Sequence, residues 1–302
     1  MLRQAENRVK IEGILAETDI KYGSYTKDGK TIENIGGMIK VLVNQEINGV
    51  PTSLEIPVHM FSNKYTKSGE LSPAYSSIEK VMKEFVSIAA AGGEAGATRI
   101  RITSGNIRMN EYYAPDGKLV SYPRINANFI SAVSGEFKPE ATFSLEFCLS
   151  SITMATDSEG VEIEPQTAKI AAILPQYGGV VDCIEMVTSN PNVINAISQY
   201  WERGGSYKAH GRLNFTSTTV VEIEKSGFGD PVEKVKTTTI SELVLTGGSD
   251  VALDGDYAFD TKEVAAAVAA RKAKLEELKN KPKTRVVPAP ATTAGKMDDL
   301  GF

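Results

Sequence analysis

Arg99 and Arg101 stand two residues apart, with Ile100 and Ile102 as their alternates. A strand there puts both guanidinium groups on one face and both apolar side chains on the other. The same alternation sets Arg108 opposite Ile107 and Met109, places Tyr122 and Arg124 together on a later segment, and lets Lys40 project from an earlier one. Rings accompany these cations. Lys21, Tyr22, Tyr25 and Lys27 crowd one polar stretch, Tyr112 and Tyr113 another, and Tyr65 lies beside Lys64 and close to Lys67. Rows of cations hold phosphates, and flat rings give unpaired bases a surface on which stacking contributes about 1–3 kcal/mol per base. Residues 21, 22, 25, 27, 40, 65, 99, 101, 108, 112, 113, 122 and 124 are therefore candidate contacts for a single-stranded polyanion. A solvated strand face is the plainer alternative for the cations, and ordinary loop packing for any one tyrosine.

Groups that could do covalent or redox chemistry are sparse. The only two histidines, His59 and His210, fall inside strand-like runs and read as sheet residues. There is no GxxxxGK[ST], GxSxG, CxxC or HExxH, so phosphate-cradling, nucleophile-elbow and zinc readings lack support and no cofactor is expected. Asp250, Asp254, Asp256 and Asp260 form the one dense carboxylate group, but their spacing fails the calcium-loop pattern and reads as a solvated acidic loop. Cys148 and Cys183 each sit alone in apolar runs, which predicts buried free thiols in a reducing compartment. These absences argue against an enzyme.

The elements that must position the candidate residues follow from periodicity. Residues 9–17 alternate as a strand and lead into a polar loop over 19–34 with a turn at 27–30; residues 37–45 and 53–61 are further strands rich in β-branched side chains. Residues 74–88 switch to helical period, with Tyr75, Ile78, Met82, Phe85 and Val86 on one stripe behind Ser72-Pro73. Strands over 98–109 and 119–133 follow, joined across 112–117. Five strands with a helix between the third and fourth is the order of the oligonucleotide/oligosaccharide-binding (OB) barrel, in which closure removes sheet edges.

The order recurs. Strands are predicted at 142–154, 167–174, 180–187, 206–216 and 237–245, with a helix over 192–200 opened by Asn190-Pro191 and a long hairpin loop that contains residues 225–231. Beyond it, Asp260 and Glu263 resemble a capping box for an Ala-rich helix to Asn280, and the Pro/Thr/Ala/Lys-rich stretch after it cannot bury enough surface to fold. The expected architecture is mainly β: tandem OB-fold-like five-stranded barrels, each with one helix between strands 3 and 4, then a C-terminal helix and a disordered tail with an acidic tip. The predicted boundaries are 1–135, 136–259, 260–281 and 282–302. One larger β-domain is the alternative.

Composition sets the outer limits. The chain has 302 residues, 41% hydrophobic and 24% charged, ordinary for a globular protein of about two domains. It has no run of roughly 20 apolar residues and no apolar core near its start, so a non-membrane, unexported, cytoplasmic protein is expected. The formal charge of -5 is unevenly spread: residues 1–135 hold 16 Lys and Arg against 14 Asp and Glu, residues 136–260 hold 8 against 19, and residues 261–302 hold 9 against 5. The acidity belongs to the middle third, so net charge does not exclude a polyanion partner for the first.

The chain ends in Asp298-Asp299-Leu300-Gly301-Phe302 after the Pro/Ala linker. This resembles the tail of bacterial single-stranded DNA-binding proteins and of several phage counterparts, in which acidic residues precede an apolar tip ending in phenylalanine. The bacterial pattern has more acids and a proline where this chain has Gly301. The two-barrel length makes a phage-encoded version the better match, and residues 104–113 with 119–130 resemble the fourth and fifth strands of phage proteins of this type. The resemblance implies that Asp298, Asp299, Leu300 and Phe302 recruit replication, recombination and repair proteins. It implies single-stranded DNA as ligand for the first barrel, with the second barrel structural or self-associating. A virion or tail protein built from β-barrel assembly modules is the alternative.

Overall fold

The computed structural model describes residues 2–47, 49–157, 159–224 and 232–280, with backbone alone over 217–224 and 232–239. The hairpin-loop stretch 225–231 and the tail residues Asp298, Asp299, Leu300 and Phe302 lie outside the described residues.

Strands β1 (Asn7–Lys27), β2 (Lys30–Ile47) and β3 (Val50–Asn63) form an antiparallel meander. Leu54, Ile56, Val58 and Met60 of β3 point inward and are buried, which fixes its register because a slip by one residue would expose all four. Helices α1 (Pro73–Glu84) and α2 (Ile88–Ala91) follow, then β4 (Arg99–Tyr113), β5 (Leu119–Asn126) and the short β6 (Ser131–Ala132). Strand β5 runs parallel to β3 and antiparallel to β4, and β4 returns to β1. The circuit β1-β2-β3-β5-β4-β1 is a closed five-stranded barrel.

The second half repeats it. Strands β7 (Glu140–Met154), β8 (Ala168–Pro175) and β9 (Val181–Thr188) are followed by α3 (Pro191–Tyr200), β10 (Ser206–Glu224) and β11 (Val232–Gly248). The pairings β7-β8-β9-β11-β10-β7, with β9 and β11 parallel, close a second barrel of the same order. The helices that plug the two barrels open alike. Ser72 caps α1 ahead of Pro73, Asn190 caps α3 ahead of Pro191, and each presents apolar residues to its core, Tyr75, Ile78 and Val81 in one and Ile194 and Ile197 in the other. In the second barrel Trp201 stacks on Tyr207 at 5.2 Å and meets Phe147 edge-on at 5.3 Å, while its indole N–H donates to the Ser249 carbonyl at 2.7 Å.

Strand β1 joins the barrels. Its first half pairs with β7 from Asn7–Leu145 to Glu12–Glu140, and its second half pairs with β2. Side chains reinforce this seam. Asn7 donates to the Ile107 carbonyl at 2.7 Å and accepts from its N–H at 2.9 Å, and Arg108 on β4 pairs with Asp182 on β9 at 2.6 Å. Helix α4 (Thr261–Asn280) begins where Asp260 accepts from the backbone N–H groups of Lys262 and Glu263, both at 2.9 Å. It lies against β4 and β9, burying Val264 and pairing Arg271 with Glu111.

Several boundaries differ from the sequence expectation. The stretch 19–34 is not a loop: β1 and β2 stay paired to Lys27–Lys30. Asp28 and Gly29 both take positive φ, 50° and 73°. That two-residue turn has a twist matching the flanking strands, so the ladder continues to its tip. Tyr112 and Tyr113 likewise belong to β4 rather than to a loop, β5 ends at Asn126, and the predicted single helix over 74–88 is two. In the second barrel β10 and β11 extend well beyond 206–216 and 237–245. Cys148 is buried, Cys183 is half-buried, both are free, and burial pushes both thiols up. No described helix is long and apolar enough to cross a membrane, and among the described residues no three His, Cys, Asp or Glu side chains cluster to hold a metal.

Candidate functional site

The registers of β1, β2 and β3 define an outer face in rows. Lys21, Gly36 and Phe61 form one row, Asp19, Met38 and His59 the next, and Glu17, Lys40 and Pro57 a third. Strand β5 continues it, since Val58–Ile125 is an inward pair and therefore Arg124 and Asn126 face outward beside Pro57 and His59. Farther up the hairpin Tyr25 shares this face, and its hydroxyl donates to Asn63 Oδ1 at 3.3 Å.

Phe61 is 52% exposed and Phe129, in the segment after β5, 53% exposed. The Phe61 N–H donates to Asn128 Oδ1 at 3.1 Å, tying the two segments together. Gly36 leaves the ring room, because a Cβ there would lie 3.0 Å from it. Exposed rings beside Lys21 and Tyr25 make a stacking surface with a cation at its edge. The sequence reading named neither phenylalanine. Alternation could have found Phe61: with residues 54, 56, 58 and 60 inward, residue 61 must face out.

Tyr22 stands on the opposite face from Tyr25, three residues away along the strand. It pairs with Ile35 and turns toward α1, donating to Glu79 Oε1 at 2.7 Å with its ring 6.4 Å from that of Tyr75. The Glu79 carboxylate, aided by burial, holds the Tyr22 phenol above its usual range; the bonds from Tyr22 and Lys83 hold Glu79 below its own. Tyr65 lies past the end of β3 with the Lys64 ammonium 5.5 Å from its ring centroid, and Lys64 also pairs with Glu33 at 2.8 Å.

The predicted cations have distinct surroundings. Lys21 is largely exposed and pairs with Asp19 at 2.8 Å, and Lys27 is exposed at the hairpin turn. Lys40 is held by Glu17 at 2.9 Å and Glu55 at 3.8 Å, and the Glu17 bond raises its pKa. Arg99 lies over the Phe137 ring at 4.9 Å. Arg101 makes a two-pronged pair with Glu12 at 2.6 and 3.1 Å, and Arg108 is bound to Asp182. Arg101 and Arg108 therefore serve the seam between barrels. Arg124 has no carboxylate partner among the described residues.

The rings do not form one cluster. Because β5 runs parallel to β3, the β4–β5 hairpin with Tyr112 and Tyr113 points to the opposite end of the barrel from the β1–β2 hairpin with Tyr22 and Tyr25. The outer face spans the distance between them. Tyr112 is exposed, Tyr113 half-buried, and the Tyr122 hydroxyl accepts from Asn110 Nδ2 at 2.7 Å.

The arrangement is that of a two-barrel protein with an open face of rings and cations on the first barrel. The chain belongs to the YorF family, whose model matches residues 5–281. No curated protein matches it. Among solved structures, it is similar to a deletion mutant of the single-stranded DNA binding protein from Thermus aquaticus, at 13% identity and a TM-score of 0.44, over 83% of this chain and 97% of that one.

Proposed function

We propose that the chain binds single-stranded DNA without sequence specificity, using the outer face of the first barrel. The observation that carries this reading is the exposure of Phe61 on the face that also bears Lys21 and Tyr25, with the exposed Phe129 next to the Asn128 that accepts from the Phe61 N–H. Large rings left in water signal a surface that another molecule covers, and neighbouring cations select a polyanion. Residues 1–135 form the DNA-holding unit, residues 136–259 brace it, and helix α4 fastens the two. Lys21, Lys27, Lys40 and Arg124 face phosphates; Tyr25 and Tyr65 add stacking surface at the end of the barrel that bears Phe61, and Tyr112, Tyr113 and Tyr122 add it toward the other end. No step requires a reacting group. The tail assigned to residues 282–302 delivers Asp298, Asp299, Leu300 and Phe302 to replication and recombination proteins of a bacterial host, the setting of a phage-encoded protein of this kind.

Anisotropy titration of labelled oligo-dT and of a duplex of equal length tests this, on the full chain and on a chain lacking residues 297–302. Preference for oligo-dT is expected in both chains. Equal affinity for duplex, or no binding, would overturn the reading. Loss of oligo-dT binding on truncation would overturn the separation of tail from DNA surface.

A further inference from the structure

The β10–β11 hairpin of the second barrel reaches beyond its own core and lies against β3 of the first. Between them is a cleft of about 520 Å³ lined by Pro57, His59, Tyr122 and Arg124 from the first barrel and Phe215 and Ser241 from the second. Arg124 is the unusual member. Its Nε is buried without a hydrogen-bond partner, and among the described residues no carboxylate lines the cleft. The half-buried Arg3 and Arg271 also leave Nε without a partner, but each pairs with a glutamate, and Arg124 does not. A half-buried cation without an anion carries a desolvation cost that a bound anion would offset. Burial, with the charge of Arg124, holds His59 below its usual pKa, so its ring enters the cleft neutral and able to donate a hydrogen bond.

The cleft adjoins the ring-bearing face, because His59 and Phe61 lie two residues apart on the same side of β3. We propose that the cleft holds a backbone phosphate of the bound strand on Arg124, so that both barrels grip one strand and the second is more than a brace. This rests on the strand-binding reading and adds to it a phosphate subsite with a wall from the second barrel.

Two measurements on the full chain test it. Arg124→Gln is expected to weaken oligo-dT binding about 5- to 10-fold and to reduce the slope of log affinity against log salt by about 0.7, the share of one phosphate contact on a single strand. In the unaltered protein, the His59 ring resonances are expected to move on saturation with oligo-dT but not with millimolar inorganic phosphate. Only one other histidine is present, and a His210→Gln chain assigns the signals. If the unaltered protein binds oligo-dT while Arg124→Gln keeps its affinity and slope, the subsite is overturned and the wider reading survives. Still His59 resonances at saturation, or resonances that answer to inorganic phosphate alone, overturn it too, without recourse to a variant. No oligo-dT binding by the unaltered protein overturns both.

Discussion

Alanine at both Tyr25 and Phe61 is expected to lower oligo-dT affinity by at least about 30-fold, the lower bound for two lost stacks of about 1 kcal/mol each. Both side chains lie on the outer face and neither belongs to the buried core, so the thermal midpoint is expected to stay close to that of the parent chain. Tyr22→Phe is the matched control. Its hydroxyl serves Glu79 on the opposite face, and its loss is expected to leave DNA affinity unchanged. Titration of all three chains under one salt condition separates the faces. Equal affinity for the double variant and the parent would remove the stacking surface from the site.

The second large effect concerns the seam. Glu12 is almost wholly buried, and its carboxylate accepts from Arg101 at 2.6 and 3.1 Å and from the Lys138 N–H at 2.8 Å. Arg101→Ala leaves that carboxylate with one donor, and the variant is expected to unfold at a clearly lower urea concentration than the parent. The Arg101 bonds hold Glu12 below its ordinary value of 4.5. A folded-state pKa below the unfolded one stabilises fully above the unfolded value, and that contribution disappears as pH falls through the folded one. The gap between parent and variant is therefore expected to be constant near neutrality and to narrow below about pH 4.5. A variant as stable as the parent, or a gap unchanged at pH 3, would show that the pair does not support the seam. Glu146 follows the same logic nearby: burial pushes its pKa up, but bonds from Arg3, the Glu6 N–H and Lys208 outweigh this and hold it below the usual range.

Strand order was legible in the sequence because period-two alternation, polar caps and Ser-Pro or Asn-Pro helix starts are local signals. The kinds of signal that mark β3, α1, β4 and β5 recur at their counterparts in the second half, so the repeat is legible without any visible identity of residues. What escaped was set by partners distant in the chain. Residues 19–34 look polar and loop-like because neither face of the hairpin arm is fully buried, yet cross-strand pairs such as Tyr25–Ile32 and Tyr22–Ile35 keep it extended.

The candidate site was half legible for the same reason. Types and spacing single out cations as candidates, but Arg101 and Arg108 meet Glu12 and Asp182, which lie 89 and 74 residues away, and no local pattern reveals such counter-ions. Tyr22 and Tyr25 are neighbours in sequence, but an odd separation on a strand sends them to opposite faces. Phe61 and His59 were legible in principle, since the four buried residues of β3 fix their direction. The arm of the second barrel over Arg124 was not, because its placement depends on the seam between barrels.

The most direct measurement of the central claim is photocrosslinking of oligo-dT carrying 5-iodo-deoxyuridine to the full chain, followed by peptide mapping. Adducts at Tyr25 and Phe61 are expected, with none at Tyr22. Adducts confined to the second barrel, or a map that omits both Tyr25 and Phe61, would contradict a strand bound on the outer face of the first barrel.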